Sequence, residues 1–159
     1  AIELGLVGSE MCIRDSKRIT WLVASGTRLP LFDASQQTVF VLFTRLFVDD
    51  IARVLQPGGE LIVVGTGETH LLPLREALYD DVRQSGFDAG KFLDDRFELI
   101  SSETLHCEWV PESEEELRNL LAMTPHHWRA RPDAKAGIGT LAGKPMNGHF
   151  VIQRWRRVA

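Results

Sequence analysis

Apolar positions run along this chain in two rhythms. Thr38 to Phe43 (TVFVLF) and Glu60 to Val64 (ELIVV) are continuous and rich in β-branched or aromatic residues, the composition of strands buried on both faces. Thr20 to Ala24 is a shorter apolar run ended by Ser25-Gly26, which predicts a strand and a turn. Phe97 to Val110 reads as a longer strand, and Gly148 to Trp155 (GHFVIQRW) as an alternating one. The helical rhythm appears first at Ile51, Val54 and Leu55, behind Asp49-Asp50, where acids suit the positive end of the helix dipole. Gln56-Pro57-Gly58-Gly59 stops that helix, and its proline and glycines serve a tight turn rather than a phosphate loop. Pro73 opens a second helix to about Gln84, with Leu74, Ala77, Leu78 and Val82 on one side. Glu112 to Ala122 is a third, acid-started helix, and Leu29 to Asp33 is an extended, proline-interrupted segment.

Strand, helix and strand in alternation predict an α/β fold with a mainly parallel sheet, whose late strands alter one edge. At 159 residues, 44% hydrophobic and 25% charged, the chain suits one globular domain. No apolar run approaches the roughly 20 residues of a membrane-spanning helix, so no membrane is expected and the cytoplasm is the expected compartment. Cys12 and Cys107 lack CxxC spacing, and the adjacent His126-His127 diverge on any regular element. No metal site is expected from them.

Charge adds one asymmetry to a formal net value of −4. From His126 onward there are seven Lys or Arg against one acid, Asp133, so the preceding body is acidic. Such a split marks either an anion-binding surface or a basic segment packed on an acidic body.

Two segments carry a likeness to a known superfamily. Val23 to Phe43 (VASGTRLPLFDASQQTVFVLF) and Ala52 to Gly67 (ARVLQPGGELIVVGTG) resemble the third-to-fourth-strand passage and the helix, Pro-Gly-Gly turn and fifth strand of class I S-adenosylmethionine-dependent methyltransferases. Leu120 to Pro132 (LLAMTPHHWRARP) is similar to the Met-Thr-Pro-x-x-Trp-Arg-Ala-Lys/Arg-Pro motif of the bacterial 23S rRNA (guanine-N(1))-methyltransferases, and His70 to Val82 resembles their His-Leu-x-x-Leu helix. The likeness runs from about Lys17 to Trp155 and spans the C-terminal half or so of that family.

The resemblance implies a Rossmann-like sheet, S-adenosyl-L-methionine as cofactor and a large-subunit rRNA guanine as substrate. It places Ser25 and Gly26 at the edge of the adenine, Leu29 against its ring, and Phe43 and Thr44 beneath the methyl group. Trp128 would give a stacking face for RNA, with Arg129 and Arg131 on its phosphates. Arg154, Arg156 and Arg157 would extend that surface. From the residues alone, Phe43 and Trp128 suit a core equally well. A small-molecule class I methyltransferase and a non-catalytic RNA-binding remnant are the alternative functions.

The opening Glu3-Leu4-Gly5-Leu6-Val7-Gly8-Ser9 looks like a cofactor loop, yet Gly8 stands only fourteen positions before Leu22. A strand–helix–strand unit needs about 30 residues, so the loop reading fails. Gly5 to Ser16 resembles translated sequencing adapter, which makes residues 1–16 a non-native lead-in and 17–159 the C-terminal part of a methyltransferase domain. In the family's sheet order, 3-2-1-4-5-7-6, the loss of strands one and two turns Thr38–Phe43 into an exposed apolar edge and leaves Thr20–Ala24 without a neighbour. Such an edge invites homodimerisation or aggregation. As encoded, the chain is expected to bind cofactor poorly and to turn nothing over.

Overall fold

The computed structural model describes residues 22–82 and 86–158. The predicted lead-in, residues 1–16 with Cys12, lies outside them, as do the start of the Thr20 segment and the expected helix end at Gln84.

Four strands form one mixed sheet: β1 (Gln36–Leu42), β2 (Leu55–Thr66), β3 (Phe97–Trp109) and β4 (Met146–Arg157), in the order β1-β2-β4-β3. β1 and β2 run parallel, whereas β4 lies antiparallel to both β2 and β3. This is the 4-5-7-6 half of the expected order, with the altered edge where the late strands enter. Leu22 to Ala24 are exposed and belong to no strand, so the strand expected over Thr20–Ala24 does not extend through its described part.

Helix α1 (Val48–Val54) crosses from β1 to β2 and buries Ile51, Ala52 and Val54. It ends one residue before the expected Gln56-Pro57-Gly58-Gly59 stop, because Leu55 is already extended at ψ 141° and begins β2. The register shows what those four residues do. Gln36 faces Leu55 and Thr38 faces Glu60, so Gln56 to Gly59 loop out opposite Gln37 alone. Gly58 takes φ 79°, and a Cβ on Gly59 would sit 2.9 Å from the carbonyl oxygens of Gln37 and Gln56. Both positions demand glycine for backbone reasons.

Burial corrects the reading of Thr38–Phe43 as covered on both faces. Only Val41 is buried, while Phe40 is 63% exposed and Leu42 also faces solvent. An edge strand with helix packing on one face can hide only every second side chain, which is the outcome the strand order predicts. The opposite edge strand, β3, is buried only at Phe97 and presents Glu98, Glu103 and Glu108 to solvent.

Helix α2 (Leu72–Leu78) is shorter than the Pro73–Gln84 expectation and buries Leu74 and Leu78. Ala77 is exposed and Val82 falls beyond the helix, because Tyr79 leaves helical geometry at φ −137°, ψ 139°. Helix α3 (Glu114–Ala122) is capped by the Ser113 side chain, which accepts from the Glu116 amide, and carries Glu114, Glu115 and Glu116 in its first turn. Two short helices, α4 (His126–Arg129) and α5 (Pro132–Ala136), and a 3-10 turn at Gly137–Leu141 lead into β4.

The core has two parts. One lies between α1 and the sheet, around Ile51, Leu55, Leu61, Val63 and Trp155. The other gathers Leu74, Leu78, Leu117, Leu121, Ile138 and Met146 where the later helices pack against the start of β4. The boundary between these two clusters sits at the carboxyl ends of β1 and β2.

Candidate functional site

A cleft of about 760 Å³ opens at that boundary, the side of an open α/β sheet where ligands bind. Phe43 and Thr44 form one wall directly after β1, and Val64 to Gly67 form the floor at the end of β2. Met123 to His126 close the far side. Segments some eighty residues apart in sequence thus meet across one cavity.

Local backbone geometry holds these walls. Phe43 takes φ 53°, turning the chain out of the strand while its N–H donates to the Val64 carbonyl at 2.9 Å. Its ring meets Phe150 edge-on with centroids 5.7 Å apart. Leu71 also takes a positive φ, 50°. Bulky residues in this region are strained and persist where the surroundings fix them; both of these line the cleft.

Asn147 pins the loop that carries Leu71. Its side chain accepts from the Leu72 amide at 3.2 Å and donates to the Thr69 carbonyl, and its own carbonyl accepts from the Leu71 N–H at 2.9 Å. His149 adds a bond between its Nδ1 and the Thr69 hydroxyl at 2.8 Å. Glycines make room beneath: a side chain at Gly65 would run into the Phe87 ring, and one at Gly67 into the His149 imidazole.

Two imidazoles line the cavity, His70 and His126. The His149 main-chain N–H donates to Nδ1 of His70 at 3.2 Å. The Tyr79 hydroxyl lies 3.0 Å from Nδ1 of His126. Burial holds His70 below the ordinary imidazole value, helped by the positive charge of Arg75 and by His149 and His126. Burial does the same for His126, with Arg75 and Arg129 adding to it. Arg45 and Arg75 also line the cleft, and no carboxylate does among the described residues.

The sequence-predicted site residues fall into three places. Phe43, 60% exposed, and Thr44 are in the cleft, so the core alternative for Phe43 is not what the structure holds. Ser25, Gly26 and Leu29 are not in its lining. Ser25 is exposed and its hydroxyl bonds that of Thr27 at 2.8 Å; Gly26 lies against the Phe47 ring. Leu29 donates its N–H to Asp50 Oδ2 at 2.5 Å. Arg53 completes that cluster, reaching Asp50 at 2.8 Å, Asp33 at 2.7 Å and the carbonyls of Leu31 and Leu29. The third place is the outer surface beyond the cleft. There Trp128 is 84% exposed, which rules out a core role for it. Arg129 is exposed, and Arg131, also exposed, pairs loosely with Asp80 at 3.5 Å.

Sequence reasoning did not single out His70, Arg75, Tyr79 or His126 for function. His70 stood inside a recognised segment but was read only as part of a helix. The Tyr79–His126 contact joins positions 47 apart, and no local pattern announces it.

No family model matches the chain, and no curated protein sequence matches it. Solved structures do. A Bacillus halodurans protein assigned as a methyltransferase has TM-score 0.56 at 14% identity, covering 95% of this chain and 77% of that one. The YcgJ protein of Bacillus subtilis gives 0.54 at 11% identity, covering 96% and 76%. A SAM-dependent methyltransferase of Methanosarcina mazei gives 0.51 at 16% identity, covering 94% and 76%. At such identities the likeness establishes the fold alone, a Rossmann-like α/β fold shared with these proteins.

Proposed function

We propose that this chain is a methyltransferase domain of the S-adenosylmethionine-dependent class, with a guanine of large-subunit rRNA as acceptor. One observation carries the reading. Phe43 and Met123 to His126 belong to the separate segments that bear the family resemblance, and they face each other across a single cleft at the carboxyl edge of the parallel pair.

The described residues suit the acceptor better than the donor. S-adenosylmethionine brings a sulfonium, an ammonium, a carboxylate and a ribose diol, and an acidic side chain is the usual partner for the diol in such folds. The cleft instead presents Arg45 and Arg75 and no carboxylate. Those guanidiniums suit the donor's carboxylate, while its diol and ammonium find no acidic partner in this lining, so no step through the donor follows from these residues. Ser25, Gly26 and Leu29 remain the proposed adenine edge, with Phe43 and Thr44 turned toward the reacting groups. Methyl transfer depends chiefly on alignment and exclusion of water, so residues that fix the acceptor contribute directly.

Trp128 is the proposed stacking face outside the cleft, flanked by Arg129 and Arg131 for phosphate. A base stacked on an aromatic side chain is worth about 1–3 kcal/mol, or roughly 5- to 150-fold in affinity. Filter binding of rRNA fragments over a salt series tests this. Trp128→Ala is expected to weaken binding by that factor, and Arg129→Ala to flatten the salt slope. Unchanged affinity in both variants sinks the RNA assignment.

The cleft volume favours a second reading, since about 760 Å³ also suits one compact small-molecule acceptor. Competition between rRNA fragments and small acceptors for binding to the chain separates the two. A non-catalytic RNA-binding role predicts salt-dependent rRNA binding by the isolated chain.

A further inference from the structure

His70 and His126 each have Nδ1 already engaged. A peptide nitrogen can only donate, so the bond from the His149 N–H leaves His70 Nδ1 without a proton, and the neutral ring carries its proton on Nε2. At His126 the partner is the Tyr79 hydroxyl. A phenol is the better donor and an imidazole nitrogen the better acceptor, so here too Nδ1 accepts and Nε2–H remains.

Both rings stay neutral near pH 7. Burial acts first on each; Arg75, His149 and His126 add to it at His70, and Arg75 and Arg129 at His126. Arg75 donates to the carbonyls of Glu68 at 2.9 Å and His70 at 3.3 Å, which anchors its guanidinium beside the cleft. What matters here is its charge, which bears on both imidazoles.

We propose that the cleft binds an oxygen-centred anion, with the Nε2–H groups of His70 and His126 as donors and Arg75 as the counter-charge. A neutral imidazole serves well in this role, because it can stabilise negative oxygen without giving up its proton. The absence of any carboxylate from the described lining removes the group that would repel such a ligand. The inference deepens the proposed function and rests on it for the ligand's source. On that reading the anion is a phosphate of the nucleic acid.

The full chain, labelled with ¹⁵N-histidine, supplies the test. Long-range ¹⁵N–¹H spectra near neutral pH are expected to show the Nε2–H tautomer for both His70 and His126. Millimolar inorganic phosphate and, separately, guanosine are then titrated in. Shifts at both rings with phosphate support the inference; shifts with guanosine alone overturn it, because its ring carbonyl is neutral and calls for no counter-charge. His126→Ala is expected to weaken the active ligand about tenfold, the loss of one hydrogen bond. An Nδ1–H tautomer at either ring, or no shift with either ligand, overturns it. These readouts do not involve methyl transfer. Loss of the Trp128 and Arg129 effects on rRNA binding, with phosphate still shifting both rings, overturns the rRNA reading alone, and intact rRNA binding with imidazoles that ignore phosphate overturns only this inference.

Discussion

The hydroxyl of Tyr79 meets Nδ1 of His126 at 3.0 Å, and their rings stand edge to face with centroids 5.5 Å apart. This contact ties the residue that ends α2 to the first residue of α4, and so fixes the far wall of the cleft to α2. Tyr79→Phe removes the hydrogen bond and keeps the ring. The expected loss is about 1 kcal/mol of folding free energy, read as a lower urea midpoint with an unchanged m-value. An unaltered midpoint means that the hydroxyl contributes nothing to holding His126.

Protonation should weaken the fold from neutral pH downward. His70 and His126 both sit below the ordinary imidazole value when folded. As pH falls through about 6.5, the unfolded chain takes up these protons first. Their contribution is therefore intact above that value and declines as pH approaches the lower folded values. Denaturant titrations at a series of pH values check this, and His126→Gln should make the decline shallower. A slope of opposite sign would mean that the rings gain a carboxylate partner on folding.

Arg53 holds the segment from Leu29 to Asp33 onto α1. It raises its own pKa and lowers that of Asp50, the hydrogen bond between them being the largest cause in each case and the Leu29 N–H adding to the shift at Asp50. The Asp50 contribution is present above the usual carboxylate range and is lost as pH falls through its depressed folded value. Arg53→Ala should lower the melting temperature more than Asp33→Ala, because Asp33 is exposed whereas Asp50 is left buried without its cation. Arg53→Lys should rescue little, since an ammonium cannot reproduce a planar fork shared among two carboxylates and two carbonyls. Full rescue by lysine would show that charge alone matters there.

Phe40 marks an edge strand without charge: from Gln36 to Leu42 there is no Lys, Arg, Asp or Glu. Sedimentation of the full chain is expected to show concentration-dependent dimers, and Phe40→Lys to shift them to monomer. Identical profiles for the two proteins would remove this edge as the contact.

Elements written in continuous local composition were legible in advance. ELIVV, GHFVIQRW and the Glu-rich start of α3 all lie within the elements their patterns predict. Burial was less legible, because TVFVLF has the same composition whether a neighbour covers it or not; only the strand order exposes Phe40. The length of α2 depended on Tyr79 leaving the helix to reach His126, a tertiary contact that overrides the helical pattern continuing to Val82. In the site, Phe43 and Thr44 could be named because the end of a parallel strand is a privileged position. His70, His126 and Arg75 acquire meaning only from partners distant in sequence.

The glutamates of β3 limit what the other margin can start. If two copies join back to back through β1, their outermost strands are both copies of β3, lined with Glu98, Glu103 and Glu108. Like charges set against one another discourage a third molecule from docking there. One receptive rim and one refusing rim make the ribbon finite, ending at eight strands rather than growing into a fibre.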